Sequence, residues 1–219
     1  MKLKKKIDFY KKKGKKIKAI IGVDYAGHPC NWKRLRELAD KNNIQLINDN
    51  CHAMGAKYQN QYDYAIKYAD IVTHSYHPAK NITTGEGGAI LTNKEEIFKK
   101  IKLLRSHGIS KKEHYDLEEQ GSWFYEINEV GYNYRITDFQ CALGINQLKK
   151  LDKFIKRRRE IANTYNSIFI NNKNFIIPHN SEEVYHAYHL YPLQVKFDQY
   201  TCNKKFFFED MKKINLNFM

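Results

Sequence analysis

The sequence predicts an α/β domain built on a mainly parallel sheet, and three observations predict it. Short apolar runs alternate with segments of helical period, as repeated strand-helix-strand units require. Polar clusters follow the runs, where open α/β sheets place their ligands. The chain has 219 residues, 42% hydrophobic and 14% aromatic, enough to bury a core and too apolar for a disordered chain.

The elements follow in order. Residues 17–23 form an apolar run that ends at Asp24 and meets Gly27 and Pro29, as a buried strand entering a loop does. Trp32, Leu35, Leu38 and Ala39 recur at helical spacing, closed by Asn42 and Asn43. A second strand spans 44–47, a short helix 62–69 and a third strand 70–75. After a glycine-rich turn at 85–88 come a strand at 89–92 and a helix from about 94 to 105. Residues 109–134 lack periodicity and read as a long functional loop. From Thr137 a helical pattern runs for about thirty residues, roughly 45 Å, and is expected as one helix spanning two domains. Its basic stretch from Lys149 to Arg159 reads as a solvated face. Alternation from His189 to Phe197 predicts a half-exposed strand, and Asn203 to Ile214 a helix. The three phenylalanines at 206–208 read as core. The apolar segment at 215–219 and the start within an α/β alternation predict a piece of a longer protein.

The net charge of +14 invites a nucleic-acid reading, but residues 1–18 hold ten lysines against one acid, Asp8. Leu3, Ile7 and Tyr10 share one helical face there, so the run reads as a solvated helix and no nucleic-acid site is expected. No apolar run approaches the ~20 residues that cross a bilayer, and no apolar stretch follows the basic start. A soluble cytoplasmic protein is expected, without membrane contact. Four scattered cysteines, Cys30, Cys51, Cys141 and Cys202, have no C-x-x-C pair and predict reduced thiols. The pairs His74/His77 and His186/His189 have no acidic or thiol ligand nearby, so no metal site is expected.

Three clusters follow strand ends: Asp49-Asn50-Cys51-His52, Ser75-Tyr76-His77-Pro78-Ala79-Lys80 and Thr84-Gly85-Glu86-Gly87-Gly88. A lysine just past a strand, between a serine and a glycine-rich turn, suits an imine-forming amine. Pyridoxal phosphate (PLP) needs such a lysine, an acid for its ring nitrogen and donors for its phosphate. Asp49 supplies an acid and Ser75 a donor. Alone, one lysine in a lysine-rich chain is weak evidence.

The wording is stronger. Residues 75–88 resemble the cofactor-lysine segment of the DegT/DnrJ sugar aminotransferases. Val23-Asp24-Tyr25-Ala26-Gly27, Asn48 to Gly55, Arg105-Ser106-His107-Gly108 and Gly131-Tyr132-Asn133-Tyr134-Arg135 resemble the same family in the same order. The resemblance covers roughly residues 17–200. It implies a fold type I PLP-dependent transferase (aspartate aminotransferase-like), with part of a smaller α+β C-terminal domain. The expected divisions are a partial large domain at 1–135, a connecting helix at 136–170 and a partial small domain at 171–219.

Residue by residue, the resemblance implies that Lys80 forms the Schiff base and then moves the proton in transamination. Asp49 pairs with the pyridine nitrogen, His52 hydrogen-bonds the ring hydroxyl and Ser75 binds the phosphate. Asn133 reaches the phosphate of a neighbouring subunit, which implies a homodimer with shared sites. Lysine at position 80 argues against the dehydratases of the family, which carry histidine there. The implied reaction moves an amino group, with glutamate the expected donor, to C4 of a nucleotide-linked 4-keto-6-deoxy sugar. Ala26-Gly27, Ser106-His107-Gly108, Lys111-Lys112, Thr201-Cys202 and Lys204-Lys205 favour the UDP-linked substrate of pseudaminic acid biosynthesis. Asn81-Ile82-Thr83 fits the lipid A aminoarabinose type equally well, and a catalytically inactive piece is the further alternative. Two departures stand out. Asn50 and Cys51 occupy positions that are usually small. Relatives also have a preceding segment, with a phosphate loop and an aromatic that stacks on the cofactor, and continue beyond Met219.

Overall fold

Three strands of alternating burial make the frame. The computed structural model describes residues 2–110, 123–197 and 203–214. Helix α1 (Lys2–Lys12) leads into β1 (Ala19–Val23), α2 (Trp32–Asn42) and β2 (Gln45–Asp49). Then come β3 (Lys57–Tyr58), α3 (Tyr64–Tyr68), β4 (Ile71–Ser75), β5 (Gly88–Leu91) and α4 (Glu95–Arg105). The sheet order is β1-β2-β4-β5. The first two pairings are parallel and β5 runs antiparallel to β4, so the expected, mainly parallel sheet is found.

Side chains alternate across the pleat, and only one face is well covered. Ile20 pairs with Leu46, and Gly22 with Asn48 and Asn48 with Val72; these rows meet α2 and α3. Gly22 is required there, because a Cβ would lie 2.7 Å from the Trp32 ring. The next row joins Val23, Asp49, Thr73 and Ile90 on the other face. That face is open: Ile21 is 64% exposed and Ile90 50%. Asn31 caps α2 by accepting the Arg34 N–H at 3.1 Å, and Asn43 ends it in the left-handed region at φ 50°. At the amino-terminal edge of the sheet, Asp70 accepts the Leu46 N–H at 2.7 Å and pairs with Arg36 and Lys94.

In α1, Ile7 is 2% exposed and enters the core while the lysines face out, as the spacing predicted. β6 (Ile109–Ser110) and β7 (Glu126–Ile127) form a short antiparallel ladder inside the segment read as a loop. Residues 111–122 lie outside the described residues, with Lys111 and Lys112, as do Thr201, Cys202 and 215–219. The cysteines at 30, 51 and 141 are free thiols, as expected.

Two expectations are corrected. The single long helix is two, α5 (Asp138–Leu148) and α6 (Leu151–Phe169), with a tightened turn in which the Lys150 N–H reaches Gln147 O. The break serves two docking sites. α5 starts with a Thr137–Gln140 capping box, and Gln140 Nε2 donates to Glu86 O at 2.8 Å on the glycine-rich turn. α6 instead lays Leu151 and Ile155 against Gly55 in the core. Second, the expected strand at 189–197 is reduced to β10 (Gln194–Val195), paired with β8 (Phe175–Ile176). β9 (Val184–Tyr185) pairs with β3, and the residues between them wrap onto the first loop of the sheet. Helix α7 (Lys204–Lys213) matches its expectation, with Asn203 as cap. Its phenylalanines are less buried than expected: Phe206 is 51% exposed, and Phe207 packs on Phe197. Among the described residues no helix is long and apolar enough to cross a membrane.

The one-sided packing makes a contrast between neighbours. Leu46→Ala should cost about 2–5 kcal/mol of unfolding free energy, as for a buried leucine. Ile21→Ala should cost within about 0.5 kcal/mol. Urea unfolding of both variants checks this, and equal losses would mean that both faces are covered.

Candidate active site

The carboxyl ends of β1, β2 and β4 bring three loops together. Asp49 closes β2, and its Oδ1 accepts the Cys51 N–H at 3.1 Å. Ser75 closes β4 two residues beyond Thr73, the partner of Asp49, so both side chains stand on the open face. Ser75 Oγ accepts the His77 N–H at 3.4 Å, which turns the chain out of the strand. The Lys80 N–H then donates to His77 O at 2.9 Å and the Thr84 N–H to Tyr76 O at 3.0 Å, closing a compact loop. Asn81, 5% exposed, ties that loop to the one after β2: its Nδ2 donates to Met54 O at 2.8 Å and reaches His52 O at 3.5 Å.

This tether puts the Lys80 ammonium where it acts electrostatically on Cys51, His52 and His189, while Asp49 acts on Cys51 and His52. The charges of Lys80 and Asp49 thus both reach His52 and Cys51 at the carboxyl edge of the sheet. His52 Nδ1 accepts the Ala26 N–H at 3.3 Å, which places the proton of the neutral ring on Nε2. Burial first, then the Lys80 charge, pushes its pKa down, against the pull of Asp49. The His52 and His189 rings lie 4.4 Å apart. Burial, then His52, Lys80 and Arg158, lower His189 to about 4. Its buried Nδ1 has no hydrogen-bond partner among the described residues.

The segment carrying His189 is fixed to the first loop. The Ala187 N–H donates to Gly27 O at 2.9 Å and the Leu190 N–H to Ala26 O at 3.2 Å. Gly27, at φ 96°, is needed: a Cβ would stand 3.0 Å from His189 N, Tyr188 N and His52 O. Arg158 Nη1 donates to the carbonyls of Tyr188 and His189, and Arg159 Nη1 to that of His186. Two arginines of the stretch read as a solvated face thus hold this segment, which corrects that reading. Asn133 stands apart and exposed, bridged to Ser106.

The model of the DegT/DnrJ/EryC1/StrS aminotransferase family matches residues 3–219. The chain belongs to this family. It is 43% identical over 200 residues to the UDP-4-amino-4,6-dideoxy-N-acetyl-beta-L-altrosamine transaminase of Campylobacter jejuni, covering 91% of this chain and 50% of that protein. The structure of Helicobacter pylori PseC, an aminotransferase involved in the biosynthesis of pseudoaminic acid, matches with a TM-score of 0.79 at 36% identity, over 90% of this chain and 50% of that one. The putative sugar aminotransferase Spr1654 of Streptococcus pneumoniae in its PLP form matches with a TM-score of 0.76 at 27% identity, over 91% and 53%. The chain spans about half the length of the relatives it matches.

Of the residues the family resemblance singles out, Lys80, Asp49, His52 and Ser75 converge on the carboxyl edge of the sheet, and Asn133 does not join them within one chain. Sequence reasoning missed His189, Asn81 and Arg158. The sequence offers His189 only as half of a spaced pair with His186 and as the first residue of an expected strand. The strand is absent there, and His186 instead stacks on Tyr188 at 3.8 Å. Among the described residues no cluster of three metal-ligating side chains exists. Asn81 carried no chemical sign beyond its place after the lysine.

His186 makes the segment pH-sensitive. It is 1% exposed, its Nδ1 accepts the Tyr188 N–H at 2.9 Å, and burial, then the charges of His28 and Arg159, lower its pKa to about 3. The unfolded chain takes up a proton below about pH 6.5 that the folded ring refuses, so this stability is present at neutral pH and lost on acidification. His186→Asn keeps an acceptor for Tyr188. Its loss of stability between pH 7 and pH 5 should be smaller than the parent's by about 2 kcal/mol in urea titrations. Equal losses would contradict the assignment.

Proposed function

We propose that this chain carries the cofactor half-site of a PLP-dependent sugar aminotransferase. The convergence of Lys80, Asp49 and His52 at one sheet edge is the observation that carries the reading. The residues fit the cofactor. An amine and a carboxylate both act on a neutral imidazole whose Nε2–H is free of the Ala26 bond, and Ser75 offers a hydroxyl on the face that carries Asp49. Pyridoxal phosphate supplies an aldehyde that condenses with amines and a ring that takes up the electron pair of a broken C–H bond.

The chain's own groups have separate work. Lys80 Nζ would hold the cofactor aldehyde and, as a free amine, would take up the α-proton and return it. The Asp49 carboxylate keeps the ring nitrogen protonated. His52 Nε2–H would donate to the ring hydroxyl, and the Ser75 hydroxyl would bind the phosphate. His189 joins this set as a neutral ring packed on His52, with a buried Nδ1 that has no partner among the described residues.

The substrate pair we propose is an amino acid, glutamate first, and a UDP-linked 4-keto-6-deoxy-N-acetyl sugar aminated at C4, by likeness to the Campylobacter transaminase. We place the reaction in the cytoplasm and in a homodimer with shared sites. Exposure of Asn133 and of a nearby apolar band, with Val130 and Phe139 each 91% exposed, supports a second copy there.

The test is chemical. The full chain mixed with PLP should develop an absorbance that borohydride fixes, and mass spectrometry should find the adduct on Lys80. Lys80→Ala should lose it. Asp49→Asn should keep the adduct and lose turnover by a hundredfold or more, of the order ascribed to an acid-base group. A folded chain with no adduct would overturn the reading.

A further inference from the structure

Behind the Asp49 carboxylate, on the covered face of the sheet, lies a group that the reaction does not use. Asp24 is 0% exposed. Its Oδ1 accepts the Cys30 N–H at 2.8 Å and the Trp32 Nε1–H at 2.9 Å. Its Oδ2 accepts Asn50 Nδ2 at 2.9 Å, Asn48 Nδ2 at 3.2 Å and the Tyr64 hydroxyl at 2.8 Å. Its backbone N–H donates to Asp49 O at 3.1 Å. We infer that Asp24 is the positioning residue for Asp49, clamping the residues on either side of it from the opposite face of the sheet. The inference rests on the reading of Asp49 as the partner of the cofactor ring nitrogen.

Period-two alternation sends the side chains of Asn48 and Asn50 away from that of Asp49, and both end on one oxygen. The direction of the Asp49 carboxylate follows from the backbone at 48–50, since its own bond to the Cys51 N–H lies within the same turn. A neutral acceptor cannot replace Asp24 cleanly. A carboxylate only accepts, at about four lone-pair sites, and here two donors crowd Oδ1 and three crowd Oδ2; an amide in its place turns an NH2 toward donors. Bonds to a charged acceptor are also roughly twice as strong as neutral ones. A buried charge is weak evidence for stability alone, because a packed apolar group often does as well. Its geometric consequence is the informative part.

The two oxygens give the experiment its control. Asp24→Asn and Asn50→Ala cut the link to β2, whereas Trp32→Phe removes a donor from the oxygen that faces α2. In the cofactor-free full chain, hydrogen exchange at the Asn50 and Cys51 amides, relative to the Leu46 amide, should rise tenfold or more in the first two variants. It should stay within twofold of the parent in Trp32→Phe, even though that variant melts lower. With PLP bound, the pH midpoint of the cofactor's absorbance change should move up by about one unit in Asn50→Ala and stay fixed in Trp32→Phe, because a less firmly protonated ring withdraws fewer electrons. If all three variants only lower the melting temperature, Asp24 is structural and the inference is overturned. If the parent binds no PLP, the proposed function falls, and the exchange ratio alone decides the clamp. Asn50→Ala keeps the test valid should Asp24→Asn not fold.

Discussion

One desolvated carboxylate sets the geometry of the whole upper edge of the sheet. Burial is the largest influence on Asp24 and raises its pKa to about 6; hydrogen bonds from Cys30, Tyr64, Asn48 and Asn50 work against that rise. The donors come from the loop after β1, the first turn of α2, the end of β2 and the first residue of α3. At neutral pH the ionised form accepts from all of them through its two oxygens, so the segments are held to one point. A misplaced strand end would leave a buried donor unpaired, at a cost of about 1–3 kcal/mol each.

The opposite edge is built differently. There Asp70 is matched by Arg36, Lys94 and the Leu46 N–H, with one charge answered by others near the surface. The carboxyl edge keeps polar atoms that the described chain does not satisfy, among them His189 Nδ1 and Asn81 Oδ1. Orphaned buried acceptors are rare in settled cores and recur where a ligand or water completes the set. Arg36 Nε at the opposite edge is likewise buried without a partner among the described residues, so the chemistry of the groups at the carboxyl edge, an amine, a carboxylate and two imidazoles, is what distinguishes that end.

Much of this arrangement was legible. Each strand of the main sheet showed as an apolar run closed by a polar cluster, and Asn31, Asn43 and Thr137 act where their side chains suit them. The family's wording around Lys80 and Asp49 led directly to the site. The remainder depends on long-range contact. Nothing local distinguishes Arg158 and Arg159 from Lys153 or Lys156 on the same helix, yet only the two arginines meet the carbonyls of 186–189. The 189–197 alternation fails for a related reason. The Gly27 and Ala26 carbonyls claim the backbone N–H groups of 187 and 190, and a tertiary bond overrides the period. The break at Lys149–Lys150 likewise follows from two docking sites that one straight helix does not serve.

The departure at Asn50 and Cys51, where the family usually has small residues, resolves in the same terms. Asn50 is 3% exposed and directs its amide to Asp24 and Tyr64, away from the face that carries Asp49. Its extra bulk adds to the clamp and takes no room on the cofactor side. Cys51 does lie near that side, but its sulfur turns toward Thr73 O at 3.7 Å. Burial, then Asp49, raises its pKa to about 11, so it stays a neutral thiol at physiological pH. No second negative charge then competes with Asp49, and an uncharged thiol costs the site only its volume. Both residues thus leave Asp49 as the one charged group at the end of β2, with the Asn50 side chain bonded on the far face of the sheet.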